Sequence, residues 1–238
     1  MKIIYTIFKK EFKTYFNSPI AYVFIVIYLV LTTWLFFRGF FLMNQASIRN
    51  YFTFLPWIFL FLIPSISMRM WAEEKKQGTL ELLMTLPVTD LQAVLGKFFA
   101  SFIFLCLTVL LSFPLPLTVA YLGDLDIGPI IGGYLGAFLM GAAYLAIGLF
   151  VSSLNENQIV AFILGIALTF LLFIIGEPIV LFALPESLIP LFKFVGLGTH
   201  FESIGRGVID SRDVLYYLSI IFIFLLLNIR SLESRKWK

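Results

Sequence analysis

Charge is scarce in this chain. Of its 238 residues only 13% are Asp, Glu, Lys or Arg, while 61% are hydrophobic; soluble domains usually carry about 25% charge. The mean hydropathy of +0.99 points the same way. A soluble globular domain is excluded, and the chain reads as an integral membrane protein. Histidine and cysteine are scarcer still, at one each. Cys106 lies inside an apolar run, which leaves no disulfide framework and no Cys/His metal spacing. His200 alone argues against a histidine metal or nucleophile site. There is no HExxH, no GxSxG and no pair of intramembrane aspartates. Gly96-Lys97 is not a phosphate-binding loop, because Leu91 stands five places before Gly96 where glycine is needed. The chain therefore does not hydrolyse a nucleotide itself, and an intramembrane hydrolase lacks its nucleophile and base. The net charge of +3 is small and implies nothing about nucleic acid. No small-residue cleavage site follows a short apolar core, so a cleavable signal is not expected.

What the chain does have is long apolar runs. A spanning helix needs about 20 apolar residues. Uncharged stretches cover 14–37, 50–68, 98–123, 127–155, 157–176 and 214–229, which predicts six transmembrane helices. The last stretch has only 16 uncharged residues, and snorkelling of Arg230 lengthens it. Residues 1–17 differ. Ile3, Ile4, Ile7, Phe8, Phe12, Tyr15 and Phe16 share one helical face, and Lys2, Lys9, Lys10 and Lys13 share the other. That is an amphipathic interfacial helix with lysines for anionic headgroups. Ser18 and Pro19 then suit the cap and first position of the next helix.

Basic residues set the orientation. With both termini in the cytoplasm, twelve lysines and arginines lie inside, among them Arg235, Lys236 and Lys238. Five lie outside: Arg38, Arg49, Lys193, Arg206 and Arg212. The expected location is the cytoplasmic (inner) membrane.

The only long polar interruption of the first half runs from Trp71 to Lys97 and is cytoplasmic in that arrangement. Thr79 is expected to cap a short helix, with Glu81 in the first turn where the helix dipole favours an anion. Pro87 stops that helix, and Thr89-Asp90-Leu91-Gln92 reads as a capping box for the next. Gly78 allows a tight turn or a close backbone approach. Glu73, Glu74 and Glu81 offer carboxylates to a basic partner; a solvated face with local pairing to Lys75 and Lys76 is the plainer alternative.

The remaining features are weaker. Pro56 and Pro64 in the second span, and Pro114 and Pro116 in the third, imply bent helices buried in a bundle; a kink is a simpler reading than a gate. Gly132 and Gly136 form a GxxxG pair, which intramolecular packing explains as well as dimerisation. Residues 177–213 are too apolar for a soluble loop and too broken for a span, so short re-entrant or interfacial helices on the outer face are expected. Glu177 is either a functional acid at membrane depth or the wet end of the fifth span.

The run Glu73-Glu74-Lys75-Lys76-Gln77-Gly78-Thr79-Leu80-Glu81-Leu82-Leu83, followed by Pro87, resembles the E-x-x-x-G-T-x-E-x-L…P signature of ABC-2 type transporter permeases. Ser152-Ser153-Leu154-Asn155-Glu156-Asn157-Gln158 resembles the turn that follows their fourth span. Thr199-His200-Phe201-Glu202, with Arg206-Gly207 and Asp213, looks like the outer loop of the gliding-motility-associated (GldF-like) branch.

The resemblance implies an all-α membrane protein with six spans of the ABC-2 exporter type, making one permease domain over residues 1–238. Residues 71–90 would be the coupling segment that docks on a separate cytoplasmic P-loop ATPase. Glu73, Glu74, Gly78, Thr79, Leu80, Glu81, Leu82, Leu83 and Pro87 would carry that contact. Ser153, Asn155, Asn157 and Gln158 would form a second cytoplasmic contact, and Glu177 and His200 would lie on the substrate path. ATP and magnesium would be bound by the partner, and a second permease subunit would complete the assembly. The rival reading is a membrane anchor or scaffold for a cytoplasmic ATPase or motility complex, without transport.

Overall fold

The computed structural model describes residues 2–43 and 47–234. Arg235, Lys236 and Lys238, counted above on the inner side, lie outside the described residues. The described residues form helices and no strand. The helices are α1 (Lys2–Asn17), α2 (Pro19–Met43), α3 (Arg49–Ser67), α4 (Arg69–Lys76), α5 (Thr79–Thr85), α6 (Asp90–Leu110) and α7 (Pro114–Leu122). They continue with α8 (Ile127–Leu154), α9 (Gln158–Ile174), α10 (Pro178–Leu181), α11 (Ile189–Val195), α12 (Leu197–Gly205) and α13 (Ser211–Glu233).

Among the described residues five helical segments are long and apolar enough to cross a membrane: Pro19–Leu42, Arg49–Lys76, Asp90–Leu122, Ile127–Leu154 and Ser211–Glu233. The expected fifth span is the shorter α9. Its 17 residues reach roughly 25 Å at 1.5 Å per residue, against a hydrocarbon core of about 30 Å. It ends early because Glu177 precedes Pro178 and is extended, at φ −76° and ψ 148°.

The prolines act differently in the two helices that carry them. α3 runs through Pro56 and Pro64 without interruption. Between α6 and α7 the chain tightens into a turn at Leu111–Phe113, with Ser112 N bonded to Val109 O and Phe113 N to Leu110 O. A ladder of buried hydroxyls braces this kink. Tyr28 Oη meets Tyr51 Oη at 2.6 Å, Tyr51 Oη meets Ser112 Oγ at 2.6 Å, and Ser112 Oγ meets Tyr134 Oη at 3.0 Å. The ladder joins α2, α3 and α8 to the kink.

α8 is the central element. It packs against α3, α6, α9, α12 and α13, and Tyr144 to Ile147 are fully buried. Its small residues admit neighbours. A Cβ on Gly132 would overlap the Ile204 carbonyl, and one on Gly136 would come 3.1 Å from the Ile204 side chain. The GxxxG pair is thus filled by α12 of the same chain. One contiguous core runs from Tyr15 to Leu232.

Residues 177–213 form the short helices α10, α11 and α12, and α12 lies against the first turns of α8. The other end of α8 carries α4 and the elbow described next. α1 leans on α6 rather than standing clear of the protein, and its Ile7 and Tyr15 are buried.

Candidate functional site

The polar interruption folds as an elbow of two helices. α3 reaches Ser67, turns once at Met68 and continues as α4. Met68 supplies no side-chain cap. Ser152, from the last turn of α8, does so instead. Its Oγ accepts from Trp71 N at 3.1 Å and Ala72 N at 3.2 Å, and donates to Met68 O at 2.8 Å. Two orphan donors of the helix start and one carbonyl are satisfied from eighty residues away. Gly148, one turn earlier, leaves room for Ser67, whose Oγ a Cβ there would strike. Lys75 Nζ donates to Ser153 O, so the far end of α4 is also tied to α8.

Gly78 makes the bend into α5. Its φ of +70° is left-handed, with nothing within 4 Å of a Cβ, so conformation and not space requires glycine. The helix cap expected at Thr79 falls on Gly78 instead. Thr79 is already inside α5, and its hydroxyl donates back to Glu74 O at 3.3 Å. Glu81 stands exposed in the first turn. α5 stops at Thr85, with Leu86 extended before Pro87. The Thr89 box is complete: Thr89 Oγ1 accepts from Gln92 N at 3.3 Å, and Thr89 N donates to Gln92 Oε1 at 3.1 Å.

The elbow separates its side chains into two sets. Glu81, Leu82 and Pro87 face out, Leu82 with 67% exposure. Leu80 is 7% exposed and belongs to the core, and Leu83 packs half-buried against it. Glu73 accepts from Gln77 Nε2 at 3.2 Å and is half-buried. Glu74 turns inward to Lys97.

Lys97 is the joint of this region, and its role was not legible in its neighbours. Its side chain is 1% exposed. Its Nζ lies 2.8 Å from Glu74 Oε1 and 3.2 Å from Glu11 Oε1, and 4.9 Å from the centre of the Trp71 ring. One ammonium thus links α1, α4 and α6. Beside it, Tyr15 Oη meets Ser101 Oγ at 3.1 Å and donates to Met70 Sδ at 3.4 Å, under the guanidinium of Arg69. Burial pushes the Tyr15 hydroxyl up to about 12, so it stays protonated and available as a donor. The sequence signal for Lys97 was a lone lysine at the edge of the apolar run that begins at Phe98; nothing marked Glu11 as its partner.

The α8–α9 turn borders the elbow. Ser153 Oγ donates to Phe150 O at 2.7 Å, and Asn155 Nδ2 donates to Val151 O at 2.9 Å. Asn157 Oδ1 accepts from Ile159 N at 2.9 Å and caps α9. Asn157 and Gln158 also line a cavity of about 450 Å³ with Lys76, so the turn and the tip of α4 present one surface.

At the opposite end, His200 and Glu177 take separate places. His200 Nδ1 lies 2.6 Å from Asp213 Oδ1, and Nε2 lies 2.9 Å from Phe194 O. The ring stacks on Tyr216 with centroids 3.9 Å apart. Both nitrogens are engaged in tying α11 and α12 to α13, as is Tyr217, which donates to Leu197 O at 2.7 Å. Glu177 instead lines a cavity against α3 and α12. Among the described residues no group of three or more His, Cys, Asp or Glu side chains is placed to hold a metal ion.

A sequence model of the family described as ABC-2 family transporter protein matches residues 5–202, from the first helix to the middle of α12. No curated protein matches the chain.

Proposed function

This chain belongs to the ABC-2 family of transporter proteins, and we propose that it is the permease subunit of an ATP-driven exporter. A separate cytoplasmic P-loop ATPase holds the ATP and magnesium. It docks on the elbow, and its nucleotide cycle moves the spans. The observation that carries this reading is the construction of the elbow. α4 is fixed to the end of the central helix by Ser152 and Lys75, while α5 presents Glu81 and Leu82 to solvent. A rigid lever with an exposed tip passes displacement from a partner to the core. The docking face consists of Glu73, Gly78, Glu81, Leu82 and Pro87, with Asn157 and Gln158 beside it. Glu74 and Leu80 serve the joint from inside.

The full assembly pairs this chain, as one six-span unit that includes the short α9, with a second permease unit. The outward faces of α2 and α13 are apolar and mostly uncovered, which suits lipid and a second unit alike. Both termini and the elbow lie in the cytoplasm of an inner membrane, as the basic-residue bias requires. Membership of the gliding-motility branch is supported by the outer motif alone, Thr199-His200-Phe201-Glu202 with Arg206-Gly207 and Asp213.

The test is co-purification of the P-loop ATPase with tagged permease and its ATPase rate in nanodiscs. Replacing a charge buried on docking costs roughly 2–5 kcal/mol of binding. Glu81→Lys and Gly78→Val are expected to insert normally but lose the ATPase or its coupled turnover. Thr79→Ala, which removes only a bond to Glu74 O, is expected to change little. If both strong variants keep the partner and full coupling, the elbow is a solvated loop. If the ATPase binds but its turnover never responds to the permease, the chain is an anchor.

A further inference from the structure

The cavity at Glu177 has about 450 Å³ and opens between α3, the end of α9 and α12. That volume falls in the range of small-molecule sites. Its walls are aromatic. Trp57 stands edge-on to Phe173 with centroids 5.0 Å apart, and Phe201 also lines the cavity. Its charged lining residues are Arg49, Glu177, Glu202 and Arg206. Arg206 pairs with Glu202, and Arg49 lies 3.7 Å from Asp126. Both guanidinium groups are therefore engaged. Glu177 is the lining carboxylate left without a cationic partner among the described residues.

The carboxylate has been given space. A Cβ on Gly198 would come within 2.5 Å of Glu177 Oε1 and 2.9 Å of the Phe173 ring. Only a glycine there lets the carboxylate lie beside that ring. Burial, and then the charge of Glu202, push the Glu177 carboxyl above its usual range. The surroundings of Glu177 thus oppose its negative charge, and a bound cation would reverse that.

We propose that this cavity binds an apolar organic cation, with its charge at Glu177 and its substituents against Trp57, Phe173 and Phe201. A carboxylate and aromatic faces attract the same sign of charge, and the attraction grows as water is displaced. An anion meets the unpaired Glu177 carboxylate and two arginines that already have carboxylate partners. The proposal rests on the exporter reading only in naming the ligand as cargo. The cation is either the amine of a membrane lipid or a water-borne organic cation.

The test uses purified permease in nanodiscs without any ATPase, and radiolabelled tetraphenylphosphonium as the probe. Tetraphenylborate is its anionic counterpart of like shape. Saturable phosphonium binding is expected, with little borate binding. Glu177→Gln and Trp57→Ala are each expected to weaken it about tenfold or more, since a desolvated cation–π contact and a buried charge pair are each on that scale. Trp57 is 45% exposed, so its truncation leaves the fold intact. Gly198→Ala, which crowds the carboxylate, is expected to weaken binding as well. Loss of phosphonium binding in discs containing phosphatidylethanolamine identifies the lipid amine as occupant. Unchanged binding there identifies a water-borne cation. Absence of saturable binding, equal binding of borate, or full binding by both Glu177→Gln and Trp57→Ala overturns the proposal. None of these outcomes bears on coupling, which is read at the elbow.

Discussion

Replacing Lys97 with Met tests whether the elbow is held as a lever. Methionine keeps the helix propensity and most of the stem volume of lysine, so α6 itself is not weakened. What disappears is the ammonium between Glu74 and Glu11, at 2.8 and 3.2 Å, in a site where the lysine is 1% exposed. Two carboxylates then share a nearly dry space, and Glu74 Oε2 already has no hydrogen-bond partner there among the described residues. Removing one member of such a buried set costs about 3–5 kcal/mol. For a chain of this size that corresponds to a drop in unfolding midpoint on the order of 10 °C. Replacing the whole set is different: Lys97→Met with Glu11→Gln and Glu74→Gln leaves no uncompensated charge and is expected to recover most of the loss. The assay is thermal unfolding in detergent or nanodiscs, followed by fluorescence of the tryptophans, of which Trp71 lies against the lysine. A single variant within about 1 kcal/mol of the native protein would refute the claim that the triad is desolvated. A triple variant as unstable as the single one would refute the claim that charge imbalance is the cause.

Ser152→Ala removes the acceptor of the Trp71 and Ala72 amides and the donor to Met68 O; with about 1–3 kcal/mol per buried unsatisfied group, amide exchange at the start of α4 is expected to rise roughly tenfold or more. Unchanged exchange would mean that Ser152 does not hold the elbow. Glu177 should make stability fall with rising pH. Burial and Glu202 raise its carboxyl in the fold, so the native state binds a proton that the unfolded chain has already lost. Its penalty is absent below the unfolded value of about 4.3 and is complete once pH passes the raised native value. Glu177→Gln should flatten that slope, as read by unfolding midpoints across the pH range, with Glu202, Arg206 and Arg49 unchanged.

Much of the fold was legible because apolar length and helix punctuation are local properties. The Thr89–Gln92 box, the Pro87 stop, the helix start at Pro19 and the broken outer segment all depend on residues close in sequence. Two misreadings, at Thr79 and at the fifth span, are local backbone effects; the others come from partners distant in sequence. The Thr79 cap failed because Gly78 adopts a left-handed turn and takes the cap position, which puts Thr79 inside α5. α4 was not anticipated because Trp71–Lys76 has no cap of its own. Glu74 looked like a surface carboxylate until the fold brought Lys97 to it, and Leu80 looked available until α5 turned it into the core. The fifth span came out short because the Glu177-Pro178 pair acts on backbone geometry, which hydropathy does not register.

The central claim is that α5 touches an ATPase with one face and the permease core with the other. Site-directed cross-linking reads this directly. In a Cys106→Ser background, Leu82→Cys, at a position 67% exposed, and Leu80→Cys, at a position 7% exposed, are each treated with a short thiol-to-amine cross-linker in membranes containing the co-expressed P-loop ATPase. Leu82→Cys is expected to capture the ATPase, with a yield that changes between ATP-bound and nucleotide-free states, while Leu80→Cys captures nothing beyond the permease itself. Equal capture at both positions, or none at Leu82, would contradict docking through this face of α5.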